Sequence, residues 1–274
     1  MHGKRSKSNN KHTNMKHIYN SFYLILAFVF ILAACADSSV TKMSEIGTIP
    51  LIPGLSGRGG SMARFTTSQN ALYVLTNTKL YVYNITNQEI PILENSIDIN
   101  PGLETLFTYD TLLFIGSQDG MYVYDISNPH DVVYVSRYWH TTSCDPVVFD
   151  GTHAFITLNS AQEICGRYTN ELQVLAMQDV QSPMYINSYQ MESPKGLGVD
   201  GDFLFVCDNN NLLVYSKKNI LDLELKKTFP ISQAYDVIPY YGNLIVTSKA
   251  GILQYSYDTT TLQITHLSSI LIEK

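Results

Sequence analysis

An all-β chain of five repeated four-stranded units is what this sequence predicts, and three observations predict it. An apolar strand with a bulky anchor recurs at Tyr73, Phe114, Phe155, Phe205 and Ile245, with spacings of 41, 41, 50 and 40 residues. The strand that follows ends each time in an aromatic or leucine, at Tyr83, Tyr124, Leu175, Tyr215 and Tyr255, spaced 41, 51, 40 and 40 residues. Two anchor series with one period mark a repeated supersecondary unit rather than a chance cluster of tyrosines. Finally, middle strands such as LLFIGS and GMYVYDIS are apolar on both faces. An antiparallel sheet with one wet face alternates, so these sheets are covered on both sides. Blades stacked around an axis supply that cover. The predicted fold is therefore a β-propeller of five four-stranded blades, with the first anchor series on the inner strands.

Taken in order, the chain opens with Lys4, Arg5, Lys7, Lys11 and Lys16, no acid, and then thirteen apolar or aromatic residues from Phe22 to Ala34. That run is shorter than the ~18 residues a membrane-spanning helix needs and fits the apolar region of an export signal. It ends in Leu32-Ala33-Ala34-Cys35, small residues before a cysteine, as in the lipobox of bacterial lipoproteins. Residues 1–34 are thus expected to be a lipoprotein signal peptide, with Met15 an alternative start, and Cys35 the lipidated residue. Two or three acyl chains, at about 0.8 kcal/mol per buried methylene, make such an anchor stable. Residues 35–60 hold Pro50, Pro53, Gly54, Gly57, Gly59 and Gly60 and read as a tether. The segment GLSGRGGS lacks the Gly-Lys-Ser/Thr ending of a phosphate loop.

Loss of residues 1–34 leaves 13 basic against 24 acidic residues, a net charge of −11. Nucleic-acid binding through a basic footprint is disfavoured on that balance, and so is adhesion to an anionic membrane surface. Residues 61–274 are the propeller domain. In its second unit the strands are expected at about 105–109, 111–117, 120–127 and 132–139, with Asp119-Gly120 as a tight hairpin. Fourth strands are expected to alternate, as in Leu221, Leu223 and Leu225. The Gly-His and Trp-Asp signatures of WD40 blades are missing, and the chain has a single Trp.

The segments GRGGSMARF (58–66), ALYVLTNTKLYVYNIT (71–86), GMYVYDISNP (120–129), SCDPVVFDGTHAFITL (143–158), GLGVDGDFLFVCD (196–208) and YDVIP (235–239) resemble the LVIVD-repeat propeller lipoproteins of Bacteroidota. The resemblance covers nearly the whole exported domain. It implies an exported, lipid-anchored β-propeller without an established molecular activity, and the fifth repeat, GILQYSYD, is its most degenerate copy.

In a propeller, the loop leading into each innermost strand and the loop between second and third strands share one face. Cys144 lies on the first kind of loop and Cys165 on the second, inside the extra residues of the third repeat. The pair is expected to form a disulfide outside the cytoplasm, contributing roughly 3 kcal/mol in the chain-entropy picture, with Cys207 as the competing partner or a small buried residue. His130, His140, His153 and His266 show no metal-ligand spacing, and no metal or other cofactor is expected. Positions at the start of the innermost strands converge on the channel mouth and read Arg64, Glu104, Asp145, Lys195 and Asp236. Such a set can hold a polar ligand. Carboxylates there also cap turns and pair with cations. Most tyrosines sit at repeat-equivalent strand positions and read as core; Tyr168, Tyr240 and Tyr241 fall nearer loops.

The expected function is a non-catalytic binding module of the bacterial envelope, held on the outer membrane by its lipid and presenting its loop face to an envelope protein or glycan. The alternative is a polysaccharide-active hydrolase or lyase using Glu104, Asp145 and Asp236 as its acid and base set. A purely architectural role in a larger envelope complex is a third reading.

Overall fold

The computed structural model describes residues 60–140, 146–159 and 170–272. They form five antiparallel four-stranded sheets set around one axis, a five-bladed β-propeller. Blade 1 is β1 (Phe65–Ser68), β2 (Ala71–Leu75), β3 (Lys79–Asn84) and β4 (Ile92–Asp98). Blade 2 is β5 (Leu103–Tyr109), β6 (Leu112–Ser117), β7 (Gly120–Asp125) and β8 (Val133–Trp139). In blade 3 these are β9 (Val147–Phe149), β10 (His153–Leu158), β11 (Glu171–Ala176) and β12 (Met184–Gln190). Blade 4 comprises β13 (Pro194–Asp200), β14 (Phe203–Asp208), β15 (Asn211–Ser216) and β16 (Glu224–Pro230), and blade 5 β17 (Ala234–Tyr240), β18 (Asn243–Ser248), β19 (Gly251–Tyr257) and β20 (Ile264–Leu271). The expected strands of the second unit agree with blade 2 to within two residues. Two details differ. From β1 through β5, β9 and β13 to β17, successive first strands lie against one another near the axis, so the anchors from Tyr73 to Ile245 stand on second strands, one step out. The last strand of blade 4 begins at Glu224, which leaves Leu221 and Leu223 in the loop before it.

The second anchor series has a geometric meaning. In every blade the register between third and fourth strands shifts once, at Val82/Tyr83, Val123/Tyr124, Val174/Leu175, Val214/Tyr215 and Gln254/Tyr255. Each anchor of that series therefore adjoins a β-bulge, which adds local twist to the outer half of the blade. The connections that follow the third strands repeat a second device, an Asx turn. Asn87, Asn128, Asp179 and Asn219 each accept, through the side-chain oxygen, the N–H two residues on. Asx oxygens mimic a backbone turn in this way.

Four apolar cores lie between successive blades. Tyr73 with Leu106 and Tyr122 fills the first, Phe114 with Ile156 the second, Phe155 with Leu204 the third and Phe205 with Leu244 the fourth. The middle strands of blades 2 to 4 are buried along both faces, as the unbroken apolar runs require. Blades 1 and 5 behave differently: β2 and β18 alternate buried and half-buried residues. All five first-series anchors point toward the following blade, and four are fully buried while Ile245 is not. Among the described residues no buried cluster bridges blades 5 and 1. Phe65, whose register partner is Val74, is 65% exposed on that side of blade 1, and Ile252 is 44% exposed on that side of blade 5. Among the described residues, blades 5 and 1 meet near the axis through the Ser61–Met62 lead-in to β1 and leave a seam toward the rim.

Candidate functional site

The connections entering first strands are hydrogen bonded to the hairpins between second and third strands. Gly102 N–H donates to Asn77 O (3.0 Å), Gln118 N–H to Gly102 O (3.0 Å), Asn209 N–H to Ser193 O (3.1 Å) and Lys249 N–H to Gln233 O (3.1 Å). These loops do share one face. Four of the five expected channel-mouth residues are described on it, in two neighbourhoods. Asp145 lies outside the described residues.

The first neighbourhood joins blades 1 and 2. The Arg64 guanidinium donates to Leu103 O (3.1 Å), and Glu104 occupies the register irregularity between Leu103 and Thr105. Glu104 Oε1 accepts from Gln118 Nε2 (3.1 Å). Gln118 adjoins Asp119, whose carboxylate takes the Ser117 hydroxyl (2.7 Å) and an ion pair from Arg137. Burial works against the Asp119 anion, but the Ser117 hydroxyl and the Arg137 guanidinium outweigh it and hold its carboxyl below the usual range. Arg137 in turn lies over the ring of its cross-strand partner Tyr122 (4.2 Å to the centroid) and against Trp139 (3.2 Å). Trp139 is the chain's only tryptophan and is 65% exposed. A continuous polar track thus runs across the top of blade 2, from Glu104 near the axis to an indole plane at the rim. Gly120 makes the hairpin close: a Cβ there would collide with Tyr138 O, and its φ is +151°. Arg137 and Trp139 stand two apart on an outer strand and so share a face, a spacing present in the sequence although the repeat pattern points to the axis instead.

The second neighbourhood joins blades 4 and 5. Lys195 Nζ sits 4.4 Å from the Tyr235 ring centroid. Asp236 is 7% exposed and accepts from Ser61 Oγ (2.8 Å), Met62 N–H (3.2 Å) and Val237 N–H (3.0 Å). Ser61 Oγ also accepts the Leu197 N–H (2.8 Å), so one serine ties the lead-in to β1 to both β13 and β17. Gly196 and Gly198 make room for this, because a Cβ on either would strike the Asp236 carboxylate or the Pro239 ring. Burial pushes the Asp236 carboxyl up to about 6 against the opposing pull of its Ser61, Met62 and Val237 donors. Cys207 is on β14, fully buried beside this cluster, and desolvation raises its thiol well above the usual value. It is a packing residue, on a strand rather than a loop. Cys35, Cys144, Cys165 and Tyr168 lie outside the described residues.

On the opposite face, a cavity of about 560 Å³ opens between blades 4 and 5, lined by Phe203, Lys218, Asp222, Glu224, Lys226 and Thr260 among others. Its charges are largely paired, Lys226 with Glu224 at 2.6 Å and Lys218 with Asp202 at 3.8 Å. Tyr240 and Tyr241 are exposed on the same opposite face, stacked edge to face at 4.6 Å on the β17–β18 hairpin. His130 contacts Glu94 (2.7 Å) and His153 the Thr152 hydroxyl (2.8 Å), and among the described residues no group of three His, Cys, Asp or Glu side chains is placed to hold a metal ion.

Fold and site together define a β-propeller with a polar, aromatic-ended track on its loop face. No protein-family model matches the sequence, and a search of curated proteins finds no match. Solved propellers do match in shape. A functionally unknown protein of Desulfotomaculum acetoxidans is 10% identical with a TM-score of 0.63, over 79% of this chain and 73% of that one. The putative 6-phosphogluconolactonase of Bacteroides fragilis is 11% identical with a TM-score of 0.59, over 77% and 70%. The periplasmic gluconolactonase of Pseudomonas aeruginosa is 14% identical with a TM-score of 0.56, over 74% and 68%. At such identities the likeness is one of fold.

Proposed function

We propose that this chain is an exported propeller lipoprotein of the bacterial envelope, of the LVIVD-repeat kind, anchored through Cys35 and acting as a non-catalytic binding module. The observation that carries the reading is the division of labour on the loop face. The axial carboxylate of blade 5 is buried and spent on holding the ring, whereas the top of blade 2 offers an exposed indole plane backed by Arg137, Asp119, Gln118 and Glu104. An aromatic plane beside amide and carboxylate groups fits a sugar ring, whose C–H face stacks while its hydroxyls take hydrogen bonds. The ligand class this favours is an envelope glycan.

Trp139 reports on its own site. Addition of a binding polysaccharide to the full chain in detergent is expected to shift or quench the single tryptophan emission, and Trp139→Phe with Arg137→Ala is expected to abolish retention of the chain in polysaccharide affinity gels. If no envelope polysaccharide perturbs the emission or retards the wild type, the glycan reading fails. Retention of a protein partner that survives the double substitution would move the site elsewhere. In the same preparations Cys35→Ala is expected to release the protein from the membrane fraction.

One observation favours a hydrolytic reading, the raised carboxyl of Asp236, since an acid near 6 suits proton donation. The names of the lactonase-like neighbours point in a similar direction. Asp236 is nevertheless shut away behind Ser61 and Met62, and a general acid needs reach to its leaving group. Polysaccharide or lactone turnover lost in both Asp236→Asn and Glu104→Gln would restore the hydrolase.

A further inference from the structure

The connections between third and fourth strands lie on the face opposite the loops, where those of blades 3, 4 and 5 are hydrogen bonded to the outer strand of the blade before. In blades 2 to 4 they run over residues 126–132, 177–183 and 217–223, and each lays apolar side chains against the core of its junction: Val132, Val180, and Ile220 with Leu223. The connection of blade 5 breaks this pattern. Residues 258–263 are one fewer and set Thr259, Thr260 and Thr261 in a row, with Leu262 their one apolar neighbour. Here, between blades 4 and 5, the cavity of about 560 Å³ opens. Its size is that of a small-ligand site.

The shorter turn is held firmly. Asp258 Oδ1 accepts the Thr260 N–H (2.8 Å), the Thr261 N–H (2.6 Å) and the Thr261 hydroxyl (3.0 Å). Leu262 stands at φ +54°, a conformation a bulky side chain rarely adopts, fixed by its N–H on Asp258 O (2.9 Å) and by Lys227 Nζ on its carbonyl (2.6 Å). Backbone strain of this kind persists where the surroundings over-determine it, and it is enriched at ligand clamps. Leu262 and Phe203 both pack on the apolar core of the junction and line the cavity, which gives it an apolar floor. Lys218, Lys226, Asp222 and Glu224 complete the lining, two cations and two anions, so their charges cancel. Lys226 and Glu224 are joined at 2.6 Å. Among the described residues the Asp222 carboxylate and the Thr259 and Thr260 hydroxyls have no partner.

We infer that this cavity binds a neutral sugar residue, at a site separate from the indole track of the loop face. The chemistry of the lining selects that class. A hydroxyl donates and accepts at once, so neighbouring hydroxyls of a sugar can meet the Glu224 carboxylate and the Lys226 ammonium together without parting them. Asp222, Thr259 and Thr260 supply further acceptors and donors, and Phe203 supplies an aromatic surface for the C–H face of the ring. A ligand of net charge meets a lining whose four charges cancel, so the loss of its hydration is not offset. The site does not depend on what the loop face binds.

Saturation-transfer NMR tests this, observing glucose, rhamnose and N-acetylglucosamine, with glucuronate and alanine as charged and zwitterionic comparators. The protein is the full chain in a polyoxyethylene detergent, which brings no sugar of its own, and carries Trp139→Phe with Arg137→Ala so that the loop face does not contribute. Transfer to at least one neutral sugar is expected, with a dissociation constant on the order of 1 mM for so small a ligand. Thr260→Trp fills the mouth from an exposed turn position and is expected to abolish the transfer. Asp222→Asn is expected to weaken binding by about tenfold, and neither change is expected to move the unfolding midpoint. The inference is overturned if none of the three sugars binds, or if transfer survives Thr260→Trp. Tighter binding of glucuronate or alanine than of any neutral sugar overturns it as well. Because the loop face is disabled throughout, these outcomes are read apart from those of the polysaccharide gels.

Discussion

Asp236 shows how one side chain carries a fold decision. It stands 175 residues from Ser61, and the hydrogen bond between them ties the lead-in of the first blade to the innermost strand of the last. The carboxylate accepts three donors, yet burial prevails and its carboxyl titrates at about 6 rather than the ordinary 3.8. The folded state therefore holds this proton more tightly than the unfolded chain does. The contribution of Asp236 to stability is full below about 3.8 and is lost as the pH rises through about 6. A tenfold difference in proton affinity is worth about 1.4 kcal/mol, which makes the loss on the order of 3 kcal/mol. Asp236→Asn keeps one side-chain oxygen, for the Ser61 hydroxyl and the Val237 N–H, and sets its amide against the Met62 N–H at a cost that does not vary with pH; because it cannot ionise, its stability relative to the wild type is expected to rise between pH 4 and pH 7. Urea unfolding of both proteins across that range measures the difference; a constant offset would mean that Asp236 is ionised throughout. Asp150 behaves oppositely. Burial raises it, but the Lys217 ammonium at 2.5 Å and the backbone N–H groups of His153 and Thr152 prevail, so its contribution is present at neutral pH and lost on acidification. Lys217 crosses from blade 4 to blade 3 to make that pair and is itself nearly buried. Lys217→Met is expected to cost about 3 kcal/mol or more, because it strands a buried anion, and Asp150→Asn on that background to recover much of the loss. Chemical denaturation of the single and double variants gives both numbers.

At the scale of the element, the second strands are equivalent in sequence and not in energy. Phe205 on β14 packs between blades 4 and 5 against Tyr257, ring centroids 5.2 Å apart. Ile245 holds the same place on β18 and faces the seam. Phe205→Ala is expected to cost about 3–5 kcal/mol, the usual toll of a fully buried aromatic, and Ile245→Ala clearly less than the about 2–5 kcal/mol of a buried aliphatic. Unfolding midpoints in denaturant decide it, and equal costs would show that the seam is packed as tightly as the other four junctions. This asymmetry is only partly legible in the sequence. The 41-residue period announces the blades, and the second anchor series marks the bulges, because bulges and anchors are local and repeat with the chain. The alternation of β2 and β18 is not legible in the same way: Thr247 and Gln254 interrupt the apolar runs of blade 5, but Thr157 and Gln173 interrupt those of blade 3, where both strands are buried all the same. What no strand pattern conveys is the angle between blades, which sets whether a ring meets at its rim.

For the whole molecule, the legible part of the candidate site follows the same division. That Arg64, Glu104, Lys195 and Asp236 lie on one face comes from the repeat itself and is legible in the sequence; their division into two neighbourhoods is not. Their roles come from contacts with no regular spacing: Ser61 with Asp236, Lys195 with Tyr235, Glu104 with Gln118. Five blades joined by four apolar cores and one polar latch also behave as a short one-dimensional array, in which each unit is held by its neighbours. Blades 2, 3 and 4 each have two such neighbours; blades 1 and 5 have one each, plus the Ser61–Asp236 contact at the axis. Amide hydrogens open locally with free energies that follow this support. Native-state hydrogen exchange is therefore expected to rank the second and third strands of blades 2 to 4 as the most protected, with β2, β3, β18 and β19 opening at lower free energy and Asp236→Ala lowering those four before the rest. Uniform protection across all five blades would mean that the seam closes in solution, and that the ring is held by a fifth apolar junction after all.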